Sequence, residues 1–215
     1  PEGFQHYILK YDDNSAYPYA KLEYVYYRMA LDAGIEMMPS ELRTYDGVTH
    51  FLTQRFDRND NEKVHTQTLA AMSPASDSYE DIFAVIRRLN LPYEDTRQQY
   101  LRMVFNVIAR NVDDHSKNFS FSMNRNGAWR LSPAYDLTYS VDLTAPAYSN
   151  RHSLTVNGKN EEFTRGDLET IGQNNDIQDY NTLIDAVTNA IAKFELYAKE
   201  LDIDEKLIKS IQADF

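Results

Sequence analysis

The pattern of hydrophobic and polar positions predicts a strand followed by a helix at the start of the chain. Residues 4–11 are mainly apolar and aromatic, which is typical of a strand, and the polar stretch 12–15 would end it. Residues 17–33 repeat apolar side chains at helical spacing, and Gly34 stands just past the last turn. The chain therefore begins with both types of secondary structure.

Two hairpins are predicted further along. Residues 37–45 and 49–56 would form the strands of the first hairpin, with Asp46-Gly47 as its turn. Residues 119–123 and 128–131 would form the second, around another glycine-containing turn. The sequence thus predicts antiparallel strand pairs in two separate parts of the chain.

Helical spacing of apolar residues dominates the remainder of the chain. It predicts helical segments over residues 63–72, 76–89, 95–108, 180–201 and 204–211, and a helix that begins at residue 164. An Asp or Ser near residue 77 would cap the second of these, Pro92 would end it, and Asp95 would cap the third. Residues 59–61 are polar and turn-like, whereas residues 140–159 are irregular. The apolar stripes of these helices predict a packed core.

Length and charge narrow the class of protein. A chain of 215 residues fits one large domain or two small lobes, and 42% hydrophobic with 26% charged residues is ordinary for a folded protein. The net charge of −11 disfavours non-specific binding of DNA or RNA by this chain alone, because phosphate backbones would be repelled. A nucleotide ligand remains compatible, since Mg²⁺ and a few placed cations can offset the charge locally.

The sequence lacks cysteine, long apolar runs and a signal-like N-terminus, and these absences bear on the expected cellular location. Cysteine is absent, which excludes disulfides and thiolate metal sites and fits the cytoplasm. The sequence contains neither a run of 18 apolar residues nor a basic-then-apolar N-terminus, so we expect neither a membrane span nor secretion. The first residue is Pro1, so we expect a fragment, a processed product or one domain of a longer protein.

The most informative stretch is residues 111–121, which contains Asp113 and Asn118 and is followed by Asp136. Protein kinases use a catalytic Asp, an Asn five residues further on, and a metal-binding Asp on a following turn. Oxygen ligands of this kind suit Mg²⁺. A capped turn is the simpler alternative, because Asp and Asn commonly close turns. A zinc site at His115 is disfavoured, because no second His stands at ligand spacing.

The chain closely resembles the HipA family of bacterial toxin kinases in two runs. Residues 113–120 read D-D-H-S-K-N-F-S, and residues 133–136 read P-A-Y-D. The resemblance implies an α+β, two-lobed protein-kinase-like fold. A small, mostly β N-lobe, incomplete in this chain, would occupy residues 1–57, and a larger helical C-lobe would occupy residues 58–215.

The same resemblance assigns roles to individual residues. Asp113 would be the catalytic residue, while Asn118 and Asp136 would bind Mg²⁺ and the nucleotide phosphates. The other positions that it assigns to the nucleotide site are Lys10, Glu23, Gln54, Arg55, Phe56, His115, Ser116, Lys117 and Tyr135. The site would therefore combine residues from both predicted lobes.

Two of these assignments depend on details of the sequence. In the family a strand lysine pairs with a helical glutamate, and Lys10 with Glu23 fits that pattern, although a lone strand lysine commonly faces solvent. A Glu-Arg-Phe-Asp-Arg run joins the family's lobes and faces adenine. Here Gln54 replaces the Glu, which preserves backbone contacts to adenine but would lose a carboxylate contact to the base or ribose.

One expected part is missing from the sequence. None of the seven glycines forms a glycine-rich phosphate loop. The resemblance implies such a loop, carrying a regulatory Ser, upstream of Pro1 and together with a further N-terminal subdomain. It runs from about Lys10 to Tyr139 and fades in the C-terminal helices. Asp114 has no role in it, so we expect a solvated turn residue there.

The resemblance also implies an activity and partners. The protein would be an ATP- and Mg²⁺-dependent serine/threonine protein kinase, the growth-arresting toxin of a toxin–antitoxin system linked to persistence. Its substrate would be a protein, for which aminoacyl-tRNA synthetases are candidates. A small helix-turn-helix antitoxin, HipB-like, would be its partner, and DNA would be contacted only through that antitoxin.

Two alternatives remain open at this point. A small-molecule kinase of the aminoglycoside or choline type shares the Asp-to-Asn spacing, but such enzymes usually have His-Gly-Asp where this chain has Asn111-Val112-Asp113. A catalytically inactive kinase-like binding module is the second alternative, and the absent phosphate loop supports it.

Overall fold

The computed structural model describes residues 3–13, 17–60, 62–146 and 149–215. Its strands are β1 (Tyr7–Lys10), β2 (Ser40–Tyr45), β3 (Val48–Gln54), β4 (Arg58–Asn59), β5 (Glu62–Lys63), β6 (His65–Thr68), β7 (Ser120–Met123) and β8 (Trp129–Leu131). Its helices are α1 (Tyr19–Asp32), α2 (Leu69–Met72), α3 (Tyr79–Arg88), α4 (Tyr93–Ile108), α5 (Arg165–Asn174), α6 (Tyr180–Ile191), α7 (Phe194–Glu200) and α8 (Glu205–Gln212).

The smaller lobe is built on an antiparallel sheet in the order β1-β3-β2. Leu52 of the central strand lies opposite Leu9 of β1 and Glu41 of β2. The turn between β2 and β3 places Asp46 and Gly47 at φ 50° and 81°, a left-handed conformation that glycine adopts freely and Asp tolerates. Helix α1 packs against β2 and β3 of this sheet.

The larger lobe is organised around α4. This helix packs against α3, α5, α6 and strand β8, and its buried face includes Tyr100, Met103 and Phe105. It ends at Ile108, just ahead of the stretch that contains the candidate catalytic residues. The Tyr26 hydroxyl of α1 donates to the backbone carbonyl of Ala109, which ties the helix of the small lobe to the end of α4.

A second antiparallel sheet, in the order β6-β7-β8, lies in the larger lobe. Asn118 stands just before β7, and Asp136 follows β8, so one hairpin carries both residues. Among the described residues, no helix has the length and apolar character needed to cross a bilayer.

The predicted hairpins and several predicted helix starts are confirmed. Helix α3 opens with a capping box, in which Ser78 accepts from the Asp81 amide and Asp81 accepts from the Ser78 amide. Thr164 forms the same kind of box with Asp167 at α5, and Asp204 caps α8. Each cap satisfies amides at the first turn that have no partner within the helix.

The predicted helix over residues 63–72 is wrong for most of its length. Residues 62–63 and 65–68 are strands, and only Leu69–Met72 is helical. Residues 65–68 pair with β7, and Thr66 hydrogen-bonds through its hydroxyl to Ser122. A partner strand distant in sequence therefore overrides the local helical spacing.

Two details of the helical lobe also differ from prediction. Asp95 does not cap α4, because the helix begins beyond Pro92 and Asp95 lies within its first turn, where its carboxylate accepts from Arg130 and from the Leu131 amide. The predicted helix over 180–201 is two helices, α6 and α7. The break lets Phe194 pack between the rings of Tyr26 and Phe215.

Predicted turn residues 14, 15 and 61 lie outside the described residues. The lobe boundary at residue 57 stays a prediction.

Candidate active site

Three charged side chains from distant parts of the chain meet at the end of β1. Lys10 Nζ lies 2.5 Å from a carboxylate oxygen of Glu23 on α1, and it also pairs with the carboxylate of Asp136 beyond β8. The structure thus contains the lysine–glutamate pair, whereas its role towards a nucleotide stays a prediction. Asp136 has φ 54°, in the left-handed region.

The surroundings of this group determine the charge of Lys10. Burial lowers the pKa of the Lys10 ammonium, but the carboxylates of Glu23 and Asp136 outweigh burial and hold that pKa above its ordinary value. Burial raises the pKa of the Glu23 carboxyl, and Lys10 offsets this only in part. Lys10 is therefore a fixed positive charge at neutral pH.

The loop after α4 presents Asp113 to solvent. The Asp113 side chain has an exposed fraction of 68%, and His115 Nε2 of the same loop is 3.9 Å from its Oδ1. The loop is held by its own residues: Asn118 Nδ2 donates to the Asp113 carbonyl at 2.8 Å, and the Asp113 amide donates to Ser140 Oγ at 3.0 Å. The backbone of Asp113 is therefore fixed while its carboxylate is accessible.

Two cavities adjoin the Lys10–Asp136 pair. The first, of about 390 Å³, is bordered by β1, β3, the 54–57 segment and β7, and its apolar walls include Phe51 and Ala134. The second, of about 260 Å³, contains Asp113 and Asn118. Lys10 and Asp136 line both cavities, so the two spaces meet at the ion pair.

The segment between β3 and β4 forms one edge of the first cavity. Arg55 binds Asp57 through two hydrogen bonds of 2.7 and 2.6 Å, and this guanidinium holds the pKa of the Asp57 carboxyl below its ordinary value. The Phe56 ring stacks on Tyr135 with a centroid distance of 5.6 Å. Because Tyr135 immediately precedes Asp136, this stacking connects the edge of the first cavity to the segment that carries Asp136.

The structure brings most of the predicted site residues together. The first cavity is lined by Lys10, Glu23, Gln54, Arg55, Phe56, Tyr135 and Asp136. The second is lined by Lys10, Asp113, His115, Asn118 and Asp136. Ser116 and Lys117 line neither cavity: their backbone carbonyls accept from the Ala70 amide and the Tyr135 hydroxyl, and the Lys117 side chain is exposed.

Asp114 corrects an expectation from the sequence. It was predicted to be a solvated turn residue, yet its side chain is fully buried. Its carboxylate accepts from the Tyr79 hydroxyl at 2.6 Å and lies 2.8 Å from His152 Nδ1. Both partners are far away in the sequence, so local turn composition could not reveal them.

Several residues of the site were not predicted. Ser120 lines the first cavity. Asn111 and Thr138 line the second cavity. Strand alternation could not have found Ser120, because Asn118 lies in the bend before β7 and the extended strand begins only at Ser120.

The donor set fits a magnesium–nucleotide ligand. Asn118 uses its amide nitrogen for the bond to Asp113, so its amide oxygen is the atom that can bind a cation, as can an Asp136 carboxylate oxygen. The described residues contain no cluster of three or more His, Cys, Asp or Glu side chains suited to a metal. Mg²⁺ does not need such a cluster, because it is usually bound by one or two carboxylates plus phosphate oxygens and water.

Comparison with solved structures defines the class of this fold. The chain matches HipA of Shewanella oneidensis MR-1, solved in complex with HipB and operator DNA, with a TM-score of 0.74 and 16% identity over 97% of this chain and 56% of that chain. It matches the Helicobacter pylori proinflammatory kinase CtkA with a TM-score of 0.58 and 11% identity, covering 90% of this chain and 87% of that one. The fold is a two-lobed, protein-kinase-like α+β fold, as predicted.

The sequence then places the chain in a family. The model of the HipA-like C-terminal domain matches residues 1–201, and the chain belongs to that family. The match extends well past residue 139, where the sequence resemblance was expected to fade. A protein of Sinorhizobium fredii named "Putative kinase Y4mE" is 25% identical over 130 residues, which cover 53% of this chain and 31% of that protein. The chain thus spans about a third of this curated relative and about half of HipA.

Proposed function

We propose that this chain is the phosphotransfer portion of a HipA-like serine/threonine protein kinase. The observation that carries the proposal is the meeting of two cavities at Lys10 and Asp136. One cavity has the apolar walls that a nucleotide base requires, and the other holds an exposed carboxylate where a phosphate acceptor would enter. Phosphoryl transfer depends mainly on positioning and charge stabilisation, which such an arrangement supplies.

Each group has a distinct role in this proposal. Asp113 orients the hydroxyl of the acceptor and takes its proton. Asn118 and Asp136 would hold Mg²⁺, which would neutralise the phosphate charge that the acidic chain would otherwise repel. Lys10, kept cationic and oriented by Glu23, contacts the phosphates.

The base of ATP would occupy the first cavity. Residues 54–56 border it, and adenine recognition by their main-chain groups would tolerate Gln54 in place of the family's Glu. Phe56 and Tyr135 close one side as a stacked pair. His115 would face the phosphates from the second cavity, with Ser116 and Lys117 further out on the same loop.

The biological role that we propose is that of a toxin. The matched HipA was solved with HipB and operator DNA, which supports a helix-turn-helix antitoxin as partner. The net charge of −11 supports contact with DNA only through that partner. A cytoplasmic protein, of which aminoacyl-tRNA synthetases are one class, would be the substrate, and its phosphorylation would arrest growth and favour persistence.

The test compares classes of phosphate acceptor. The full-length protein is incubated with Mg²⁺ and γ-labelled ATP, in the presence of a library of serine- and threonine-containing peptides or of aminoglycosides and choline. We expect peptide labelling, which Asp113→Asn reduces by about 10²–10⁴-fold and Asp46→Asn leaves unchanged. Asp46→Asn is a matched control, because Asp46 is an exposed turn residue whose conformation Asn also adopts.

The outcomes separate the candidate functions. Labelling of the small molecules alone contradicts the protein-kinase proposal. Failure to bind Mg²⁺–ATP in calorimetry supports an inactive binding module instead.

A further inference from the structure

Asp114 lies directly beside the proposed catalytic residue but cannot touch a substrate. Its side chain is fully buried, whereas that of Asp113 is 68% exposed. A buried carboxylate is costly unless hydrogen bonds satisfy it. Its partners therefore indicate what the residue holds in place.

The partners of Asp114 come from two distant segments. From α3, the Tyr79 hydroxyl donates to Oδ2 at 2.6 Å. From the irregular segment 152–154, the amides of Ser153 and Leu154 reach Oδ1 at 2.8 and 3.4 Å, and His152 Nδ1 lies 2.8 Å from Oδ2. The Asp114 carboxylate therefore fastens the loop to two otherwise separate parts of the lobe.

The proton positions in this cluster follow from the contacts. His152 Nε2 is buried without a hydrogen-bond partner among the described residues, so we assign the ring proton to Nδ1, where Asp114 accepts it. Tyr79 must donate to Asp114, because burial and the nearby carboxylate raise the pKa of its phenol well above the ordinary value. All four contacts are then donors directed at one acceptor group.

The hydrogen bonds continue beyond Asp114 towards the candidate metal residue. Asn106 Nδ2 donates to the Tyr79 hydroxyl at 2.9 Å, and Asn111 Nδ2 donates to Asn106 Oδ1 at 3.0 Å. Asn111 also reaches the backbone carbonyl of Asp136 at 3.4 Å. The same buried network therefore touches the backbone on both sides of the second cavity.

We infer that Asp114 is a positioning residue for the proposed phosphotransfer: through Tyr79 and the 152–154 segment it fixes the loop that presents Asp113. This inference rests on the proposed function. A misplacement of about 1 Å at a reacting group can cost about 10²-fold in rate. By anchoring the loop from its buried side, the Asp114 carboxylate controls the position of the Asp113 carboxylate without contacting ATP or the acceptor.

The test removes one hydroxyl and compares it with a matched one. Tyr79→Phe keeps the ring, which packs edge-on against Phe119, but removes the donor to Asp114. Tyr100→Phe is the control, because Tyr100 is also fully buried and its hydroxyl donates to the Leu168 carbonyl at 2.9 Å, away from the loop. Both variants are compared in the full-length protein, with kcat and KM for ATP measured well below the Tm of each.

The expected result separates positioning from general stability. Both variants should lower Tm by similar amounts, while only Tyr79→Phe should lower kcat, by about 10- to 10²-fold, with KM for ATP unchanged. Within the Asp114 series, Asp114→Asn should retain more kcat than Asp114→Leu, because an amide oxygen still accepts from Ser153 and Leu154. Parental kcat in Tyr79→Phe, or equal losses in both tyrosine variants, would overturn the inference.

A second measurement keeps this inference distinct from the proposed function. Hydrogen exchange in residues 111–118 and 152–155 should rise in Tyr79→Phe and not in Tyr100→Phe. If the parent transfers no phosphate, the proposed function fails, and the exchange comparison alone decides whether Asp114 fixes the loop. Unchanged exchange in both variants contradicts the inference whatever the parental activity.

Discussion

The two faces of the loop after α4 differ sharply although they are made by adjacent residues of the same type. On the open face, Asp113 exposes 68% of its side chain beside a cavity that also contains Lys10. On the buried face, Asp114 is fully enclosed and hydrogen-bonded to Tyr79 and the 152–154 segment. The Asp113 carboxylate is accessible from solvent, whereas the Asp114 carboxylate is buried and has all its contacts within the protein.

The difference shows how burial separates reactive from supporting groups. A carboxylate with few protein partners is tolerated only where water can solvate it, whereas a buried one must have its acceptor sites filled. Replacing Asp113 should therefore affect catalysis, and replacing Asp114 should affect stability as well. The predictions below test that division.

The largest effect is expected from Asp113→Asn. The amide keeps the size and shape of the side chain but cannot accept the proton, so transfer to a serine substrate should fall by about 10²–10⁴-fold. Nucleotide affinity and thermal stability should remain those of the parent. Rates are measured in the full-length protein with labelled ATP, and a parental rate in this variant rejects the assignment of Asp113.

Asp114→Leu should instead destabilise the fold. It leaves the Tyr79 hydroxyl, His152 Nδ1 and two backbone amides without their acceptor, and each buried donor that loses its acceptor typically costs about 1–3 kcal/mol. Urea unfolding measures the loss, with Asp113→Asn as the control that should stay within about 0.5 kcal/mol of the parent. Equal stability of the two variants would abolish the distinction between the faces.

Asp136→Ala tests the proposed metal-binding role of Asp136 on the open face. We expect Mg²⁺-dependent ATP affinity to fall by about 10²-fold or more, because even residues that only support metal ligands contribute about 10–100-fold. Asp176→Ala is the matched control, since Asp176 is exposed and has a similar left-handed φ of 55°. Calorimetry measures the ATP affinity of the parent and both variants with and without Mg²⁺. If Mg²⁺ raises the ATP affinity of Asp136→Ala as much as that of the parent, the metal role of Asp136 is wrong.

The smallest effect is expected at Lys10. Lys10→Ala removes one charge-assisted contact to phosphate, worth about 1.5–3 kcal/mol, and should weaken ATP binding by about 10- to 10²-fold. Lys21→Ala should leave ATP binding unchanged, because Lys21 donates to the Leu201 carbonyl on α7's end. Equal losses from both lysines, or none from either, would reject the role of the Lys10–Glu23 pair.

The parts of the fold that local chemistry determines were predictable. The Asp46-Gly47 turn and the Ser78 capping box depend on residues within a few positions of each other, and both appear as expected. The candidate site was also largely predictable, because the resemblance to a known family placed Lys10, Glu23 and Asp136 together before any coordinates.

Three of the errors share one physical cause, which is long-range pairing. Asp95 has the position of a helix cap, but Arg130 and the Leu131 amide occupy its carboxylate. Residues 65–68 have helical spacing, yet they pair with β7. Asp114 resembles a turn residue, although its partners are Tyr79 and residues 152–154. Spacing along the chain contains no information about such partners.

The left-handed φ of 54° at Asp136 has a consequence for how this chain can evolve. Backbone conformational energy alone would favour glycine at that position, because residues with a Cβ are strained there. At this position selection for stability would therefore favour glycine, whereas selection for the proposed magnesium ligand would favour aspartate. A lineage released from the need to transfer phosphate should lose this carboxylate early, and glycine or asparagine at this position would be a mark of lost catalysis in related chains.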